Sequence, residues 1–178
     1  MNIPNALTLL RIVMIPFFIA VYYIGFDGWN YWAAGIFIAA SITDMLDGMI
    51  ARKSGCVTNF GKLMDPIADK LLVTSALLIL LEWGQVGALV CIIIIAREFV
   101  ISGVRMLAAA KSVVIAAGWT GKVKTVVQIV GVAAIFLGNP WFADLGIPFG
   151  QILLYVSVAL SIVSCVEYIV KNKAVLKG

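Results

Sequence analysis

Six apolar stretches, each about long enough to cross a bilayer, constrain this chain more than any other feature. A membrane-spanning helix takes roughly 20 mostly apolar residues. Windows of that length fall at 6–25, 31–52, 61–81, 86–109, 120–138 and 148–170. Short polar or Gly/Pro-bearing connections separate them, including Gly25-Phe26-Asp27-Gly28, Glu82-Trp83-Gly84-Gln85 and Gly138-Asn139-Pro140 through Gly146. Of 178 residues, 63% are hydrophobic and 12% charged, where a soluble domain is about 45–50% apolar. The expectation is an all-α integral membrane protein with six transmembrane helices, forming one domain over 1–178. Residues 1–5, with Pro4 and Asn5, are expected to form a short interfacial segment. They lack the basic start and cleavage site of a secretory signal, so the first span should be retained.

Charge placement sets an expected orientation. The connections after spans one, three and five carry Asp27, Glu82 and Asp144 and no Lys or Arg. The other side carries Arg52, Lys53, Lys62, Arg105, Lys111, Lys122, Lys124, Lys171, Lys173 and Lys177. By the positive-inside rule that side is cytoplasmic, which puts both termini there, in a cytoplasmic (inner) membrane. The net charge of +4 then reflects topology and membrane lipid, and no nucleic-acid partner is expected. Trp29, Tyr31, Trp32, Trp83, Trp119 and Trp141 lie near span ends and read as an interfacial belt. Lys171, Lys173 and Lys177 read as topology anchors.

The chain has no histidine, which removes the commonest general base and zinc ligand. Cys56, Cys91 and Cys165 are widely spaced, without a metal-ligand pattern, and read as unpaired. Acid–base or metal chemistry therefore falls to carboxylates. Four of them, Asp44, Asp47, Asp65 and Asp69, sit at the basic ends of spans two and three. An Asp at the centre of a membrane helix costs about 2.5–3.5 kcal/mol, and less near the interface. The pairs are spaced i,i+3 and i,i+4, so each occupies one helix face. A short connection makes an antiparallel hairpin, which brings the two pairs to similar depth. Four such acids repel one another unless cations neutralise them. Hard divalent ions with oxygen ligands fit, Mg²⁺ or Mn²⁺, and two ions about 3.5–4 Å apart can stabilise attacking and leaving oxygens together. Gly48, Ala51 and Gly61 keep the same seam open. Pro66 suggests an early-turn position or a kink.

Read as one string, Asp44-x2-Asp47-Gly48-x2-Ala51-Arg52-x8-Gly61-x3-Asp65-x3-Asp69 resembles the full signature of the CDP-alcohol phosphotransferase family. The resemblance implies that Asp44, Asp47 and Asp65 are metal ligands, and that Asp69 joins the metal site and acts as general base. It implies that Gly48, Ala51, Arg52 and Gly61 line a CDP-lipid pocket. Asn5, Thr8 and Arg11 match the family's opening motif and are expected at the nucleotide–pyrophosphate end. The polar metal and nucleotide cavity should open to the cytoplasmic side, and a homodimer is expected.

The acceptor is a separate question. Ala96-Arg97-Glu98-Phe99-Val100-Ile101-Ser102-Gly103-Val104-Arg105 and Gly121-Lys122-Val123-Lys124-Thr125-Val126-Val127-Gln128 resemble the branch whose acceptor is glycerol 3-phosphate. A phosphate dianion calls for cations, and Arg97, Arg105, Lys122 and Lys124, with Gln128, are the candidates. Arg97 lies deep in span four and must face a partner or a polar cavity. A structural pair with Glu98 is the competing reading, weakened because adjacent helical residues diverge. The implied reaction is transfer of a phosphatidyl group from CDP-diacylglycerol to sn-glycerol 3-phosphate, giving phosphatidylglycerophosphate and CMP. Alternatives are the same chemistry on inositol phosphate, serine or phosphatidylglycerol, a divalent-cation transporter built on the acids, or a purely structural membrane protein.

Overall fold

The structure, a computed structural model, describes the backbone of residues 3–54, 59–111, 113, 118–139 and 146–173, and their side chains except at 3–5, 46–54, 59–63, 65 and 66. Six helices account for nearly all of it: α1 (Ile3–Ile24), α2 (Trp29–Ser54), α3 (Asn59–Glu82), α4 (Ala88–Ala110), α5 (Trp119–Phe136) and α6 (Phe149–Lys171). Each coincides with one expected span. By length and composition α1, α5 and α6 are apolar enough to cross a membrane.

One local expectation gains detail and another is corrected. Helix α1 begins at Ile3, so residues 3–5 form its first turn. Pro4 suits that turn, where its missing N–H has no helical acceptor to lose. Pro66 is not in an early turn, because α3 starts at Asn59 and continues unbroken through it.

The bundle has two unlike ends. At one, the α1–α2, α3–α4 and α5–α6 connections turn sharply on residues with positive φ: Gly25, Gly28, Gly84, Gly138, Asn139 and Gly146. Asn139 (φ 56°) is the only non-glycine among them, and its short side chain suits that conformation. It accepts from the Gly150 N–H at 2.7 Å and donates to Gln151, which in turn donates to Gln85 of the α3–α4 turn. Asn30 donates to the Phe136 carbonyl at the end of α5. Polar side chains thereby satisfy helix-end groups that would otherwise lack partners.

Inside this end, Tyr22, Trp29, Trp83 and Phe136 pack ring against ring, and Phe18 and Phe37 continue the cluster inwards. Trp29 and Trp83 therefore pack within the bundle, whereas Tyr31, Trp32 and Trp119 are exposed, as a belt requires; Trp141 lies outside the described residues. Around the cluster Leu77, Leu80, Ile94, Ile135 and Leu154 are fully buried. Large apolar side chains such as Phe17, Leu89, Ile92, Val163 and Val166 point outwards. An apolar exterior around an apolar core suits lipid on the outside. Cys91 is buried and donates to the Leu77 carbonyl, and Cys165 packs beside Tyr168; both are free, and Cys56 lies outside the described residues.

Helices α5 and α6 make the most extensive contact. Two glycines permit it. A methyl group on Gly150 would lie 2.6 Å from Ile135 Cγ1 and 2.7 Å from the Gly131 carbonyl oxygen.

Candidate functional site

At the other end the helices part around a cavity of about 760 Å³, within the roughly 300–1,000 Å³ typical of small-molecule sites. It is lined by α2, α3, α4, α5 and α6. Helix periodicity explains the lining: Arg97, Ile101 and Arg105 recur every four residues along α4, as do Ser164, Tyr168 and Asn172 at the end of α6.

Two of the four aspartates are placed by this geometry. Asp44 of α2 and Asp69 of α3 line the same cavity, so the hairpin brings one member of each pair together. Asp47 and Asp65 follow on the same helix faces one turn nearer the α2–α3 connection. Their side chains, with those of Asn5, Gly48, Ala51, Arg52 and Gly61, lie outside the described residues. Among the described residues no third acid completes a metal cluster. The two acids that are placed nevertheless fit a hard divalent ion, since both line the cavity and carboxylate oxygen is what such ions take.

Arg11 takes a position that its motif did not specify. Its side chain is fully buried and its Nη1 lies 2.9 Å from Asp44 Oδ1. Thr8, one turn earlier on α1, is buried as well. Neither lines the cavity. Arg11 instead backs Asp44 from within the bundle, leaving that carboxylate partly exposed on the cavity side.

The cations divide into two groups. Arg97, Arg105 and Lys122 line the main cavity. Lys124 and Gln128 are buried together on a separate chamber of about 40 Å³, which also touches Asp69, Thr74 and Glu98. Their shared helix face was legible from the i,i+4 spacing. Its direction was not.

Between the groups stands Glu98, which lines both spaces. Its Oε1 accepts from Arg97 Nη1 at 3.1 Å and from Lys124 Nζ. The Arg97–Glu98 pair that adjacency argues against is therefore formed, because both side chains are long enough to turn back towards one another. Arg97 Nη2 also donates to Ser164 of α6 at 3.0 Å. Arg105 lies over the Tyr168 ring and donates to its hydroxyl at 3.3 Å. Lys122 sits over Trp119.

Several lining residues escaped the sequence reading. Lys171, read as a topology anchor, lines the cavity and pairs with Glu167, which also accepts from Thr120 of α5. The i,i+4 spacing of Glu167 and Lys171 was the available signal. Ser164 and Tyr168 carried none, because a serine or tyrosine in a membrane helix is not unusual by itself.

A family model described as CDP-alcohol phosphatidyltransferase matches residues 1–163. The CDP-diacylglycerol–glycerol-3-phosphate 3-phosphatidyltransferase of Bacillus subtilis (strain 168) is 42% identical, with 99% of this chain and 97% of the relative covered. The protein of that name from Rickettsia bellii (strain RML369-C) is 40% identical, over 94% of this chain and 93% of its own length. That of Shigella flexneri serotype 5b (strain 8401) is 37% identical, over 97% and 96%. The match runs through all six helices and both acidic pairs, and the chain belongs to the CDP-alcohol phosphatidyltransferase family.

Proposed function

We propose that this protein transfers the phosphatidyl group of CDP-diacylglycerol to sn-glycerol 3-phosphate, releasing CMP and phosphatidylglycerophosphate. The observation that carries this reading is a single cavity with Asp44 and Asp69 on its α2–α3 side, beside Lys70, and a surplus of cations on its α4–α6 side, where Arg97, Arg105, Lys122 and Lys171 outnumber Glu98 and Glu167. A carboxylate side suits a metal-bound pyrophosphate, and a cationic side suits a phosphorylated acceptor. The names of the relatives point to the same two substrates.

In this reading Asp44, Asp47, Asp65 and Asp69 hold two divalent ions, Mg²⁺ or Mn²⁺. Bound there, the ions supply Lewis acidity to the pyrophosphate and offset charge on departing CMP. Asp69 accepts the proton of the attacking acceptor hydroxyl, a poor nucleophile that needs a positioned base. Arg11 holds Asp44 in place from behind. Asn5, Gly48, Ala51, Arg52 and Gly61 form the CDP-lipid end, with Thr8 buried behind it beside Arg11. The basic end of the bundle lies at the cytoplasmic face of the inner membrane, where a soluble acceptor enters, with all six helices spanning and both termini on that side. The one domain works as a homodimer.

CMP release by the purified protein tests the reaction. Release is expected to require CDP-diacylglycerol, Mg²⁺ and glycerol 3-phosphate together, and to stop on chelation with EDTA. Release that depends on a different alcohol would keep the carboxylate assignment and discard the acceptor. Arg105→Ala should raise the acceptor KM by about tenfold or more, the scale of a lost charge-assisted contact, with little change in the donor KM. An unchanged acceptor KM would remove Arg105 from the site.

A further inference from the structure

We propose that Glu98 is a positioning residue, which together with Lys124 and Ser164 fixes the Arg97 guanidinium for the phosphate of the acceptor; the inference rests on the acceptor assignment above. A carboxylate beside a phosphate site needs a reason, because it repels the dianion it would meet. Two roles are open to it, and they have opposite consequences. As a competitor, Glu98 occupies cations that the phosphate must win back. As a support, it orients a cation that the phosphate then meets ready-placed.

The geometry favours the support. Of the two cations on Glu98 Oε1, only Arg97 lines the main cavity. Lys124 is 1% exposed and opens onto the small chamber behind. The carboxylate is thus held from the rear by an ammonium group that does not share the acceptor's space. Neighbouring side chains on a helix diverge, so Glu98 needs such a hold to keep facing Arg97. Ser164 fastens the other arm, through Nη2 at 3.0 Å. On the α5 side the guanidinium lies against Gly121, where a methyl group would come within 3.2 Å of Nη2. Two side chains and one missing side chain on three helices therefore determine where this cation points. The chain of contacts runs Lys124, Glu98, Arg97, Ser164, with one net positive charge left to offer a phosphate.

Kinetics with glycerol 3-phosphate separate the two roles by sign. Glu98→Gln is expected to raise the acceptor KM by about tenfold or more, as losing a charge-assisted hold would, with smaller changes in kcat and in the donor KM. A fall in the acceptor KM would make Glu98 a competitor and overturn the proposal, and so would no change. Ser164→Ala alters no charge, yet should shift the acceptor KM in the same direction by about threefold or more. Glu98→Asp should recover part of the loss. Because Glu98→Gln leaves the Lys124 ammonium buried without its carboxylate partner, which works against folding, the Glu98→Gln/Lys124→Met double variant serves beside it. If Lys124 acts through Glu98, the double variant has an acceptor KM no higher than that of Glu98→Gln. Multiplied effects would mean that Lys124 meets the phosphate directly, which overturns its part in the support. Wild-type protein that ignores glycerol 3-phosphate would instead refute the acceptor assignment. Even then, a structure of Glu98→Gln in which Arg97 keeps its place would overturn the positioning role.

Discussion

Asp69→Asn is expected to lower CMP release by at least about 10²–10⁴-fold, the usual contribution of a positioned general base. The amide matches the carboxylate in size, so packing around α3 should be retained, but it cannot accept the hydroxyl proton. Asp69 lines both the main cavity and the chamber holding Lys124 and Gln128, so its replacement is felt on both sides. The same residue is assigned to the metal site, and raising Mg²⁺ separates the two losses. Weakened metal binding is restored at saturating Mg²⁺, whereas a missing base is not. Turnover near the wild-type rate in folded Asp69→Asn protein would remove the base assignment.

The largest expected effect on stability lies at the opposite end. Gly150→Ala should destabilise the protein by about 1–3 kcal/mol, as over-packing does where neighbours cannot retreat. The added methyl group would meet Ile135 Cγ1 at 2.6 Å, the Gly131 carbonyl at 2.7 Å and Asn139 Oδ1 at 2.9 Å. Ile135 can rotate. The Gly131 carbonyl is backbone, and Asn139 is tied to the Gly150 N–H itself. Gly35→Ala is the matched control, since a methyl group there meets nothing within 4 Å and should improve helix propensity by up to about 1 kcal/mol. Thermal denaturation of both variants in the same detergent checks the contrast. Equal midpoints would mean that α5 and α6 separate more readily than their packing implies.

Much of this architecture was readable from residue order. Helix positions follow from the length of apolar runs, and glycine-marked breaks separate them, so the six spans and six helices coincide. Asp44 and Asp69 line one cavity because a short connection between α2 and α3 holds them at similar depth. Contacts between distant segments were harder to see. Nothing local marks Gly131 and Gly150 as partners, since each looks like an ordinary small residue until α5 and α6 are packed. Arg11 gave a motif but no direction, and only the bundle shows that it turns to Asp44. The same limit explains Lys124. Spacing put it on one face with Gln128, but whether that face met the cavity depended on how α4 and α5 pack. The Arg97–Glu98 pair was discounted because helical geometry separates the Cβ atoms of neighbours, whereas the contact is made at Oε1, three bonds further out.

The ring cluster of Tyr22, Trp29, Trp83 and Phe136, with Phe18 and Phe37 above it, occupies the interior between the cavity and the glycine-turn end. It acts as a stopper. A solute that enters from the basic end finds these packed rings between it and the glycine-turn end. Such a floor suits chemistry in which both the soluble reactant and the soluble product belong to one compartment. It also gives the cation-transport alternative a specific obstacle, because an ion moving along the bundle axis would have to pass this ring cluster.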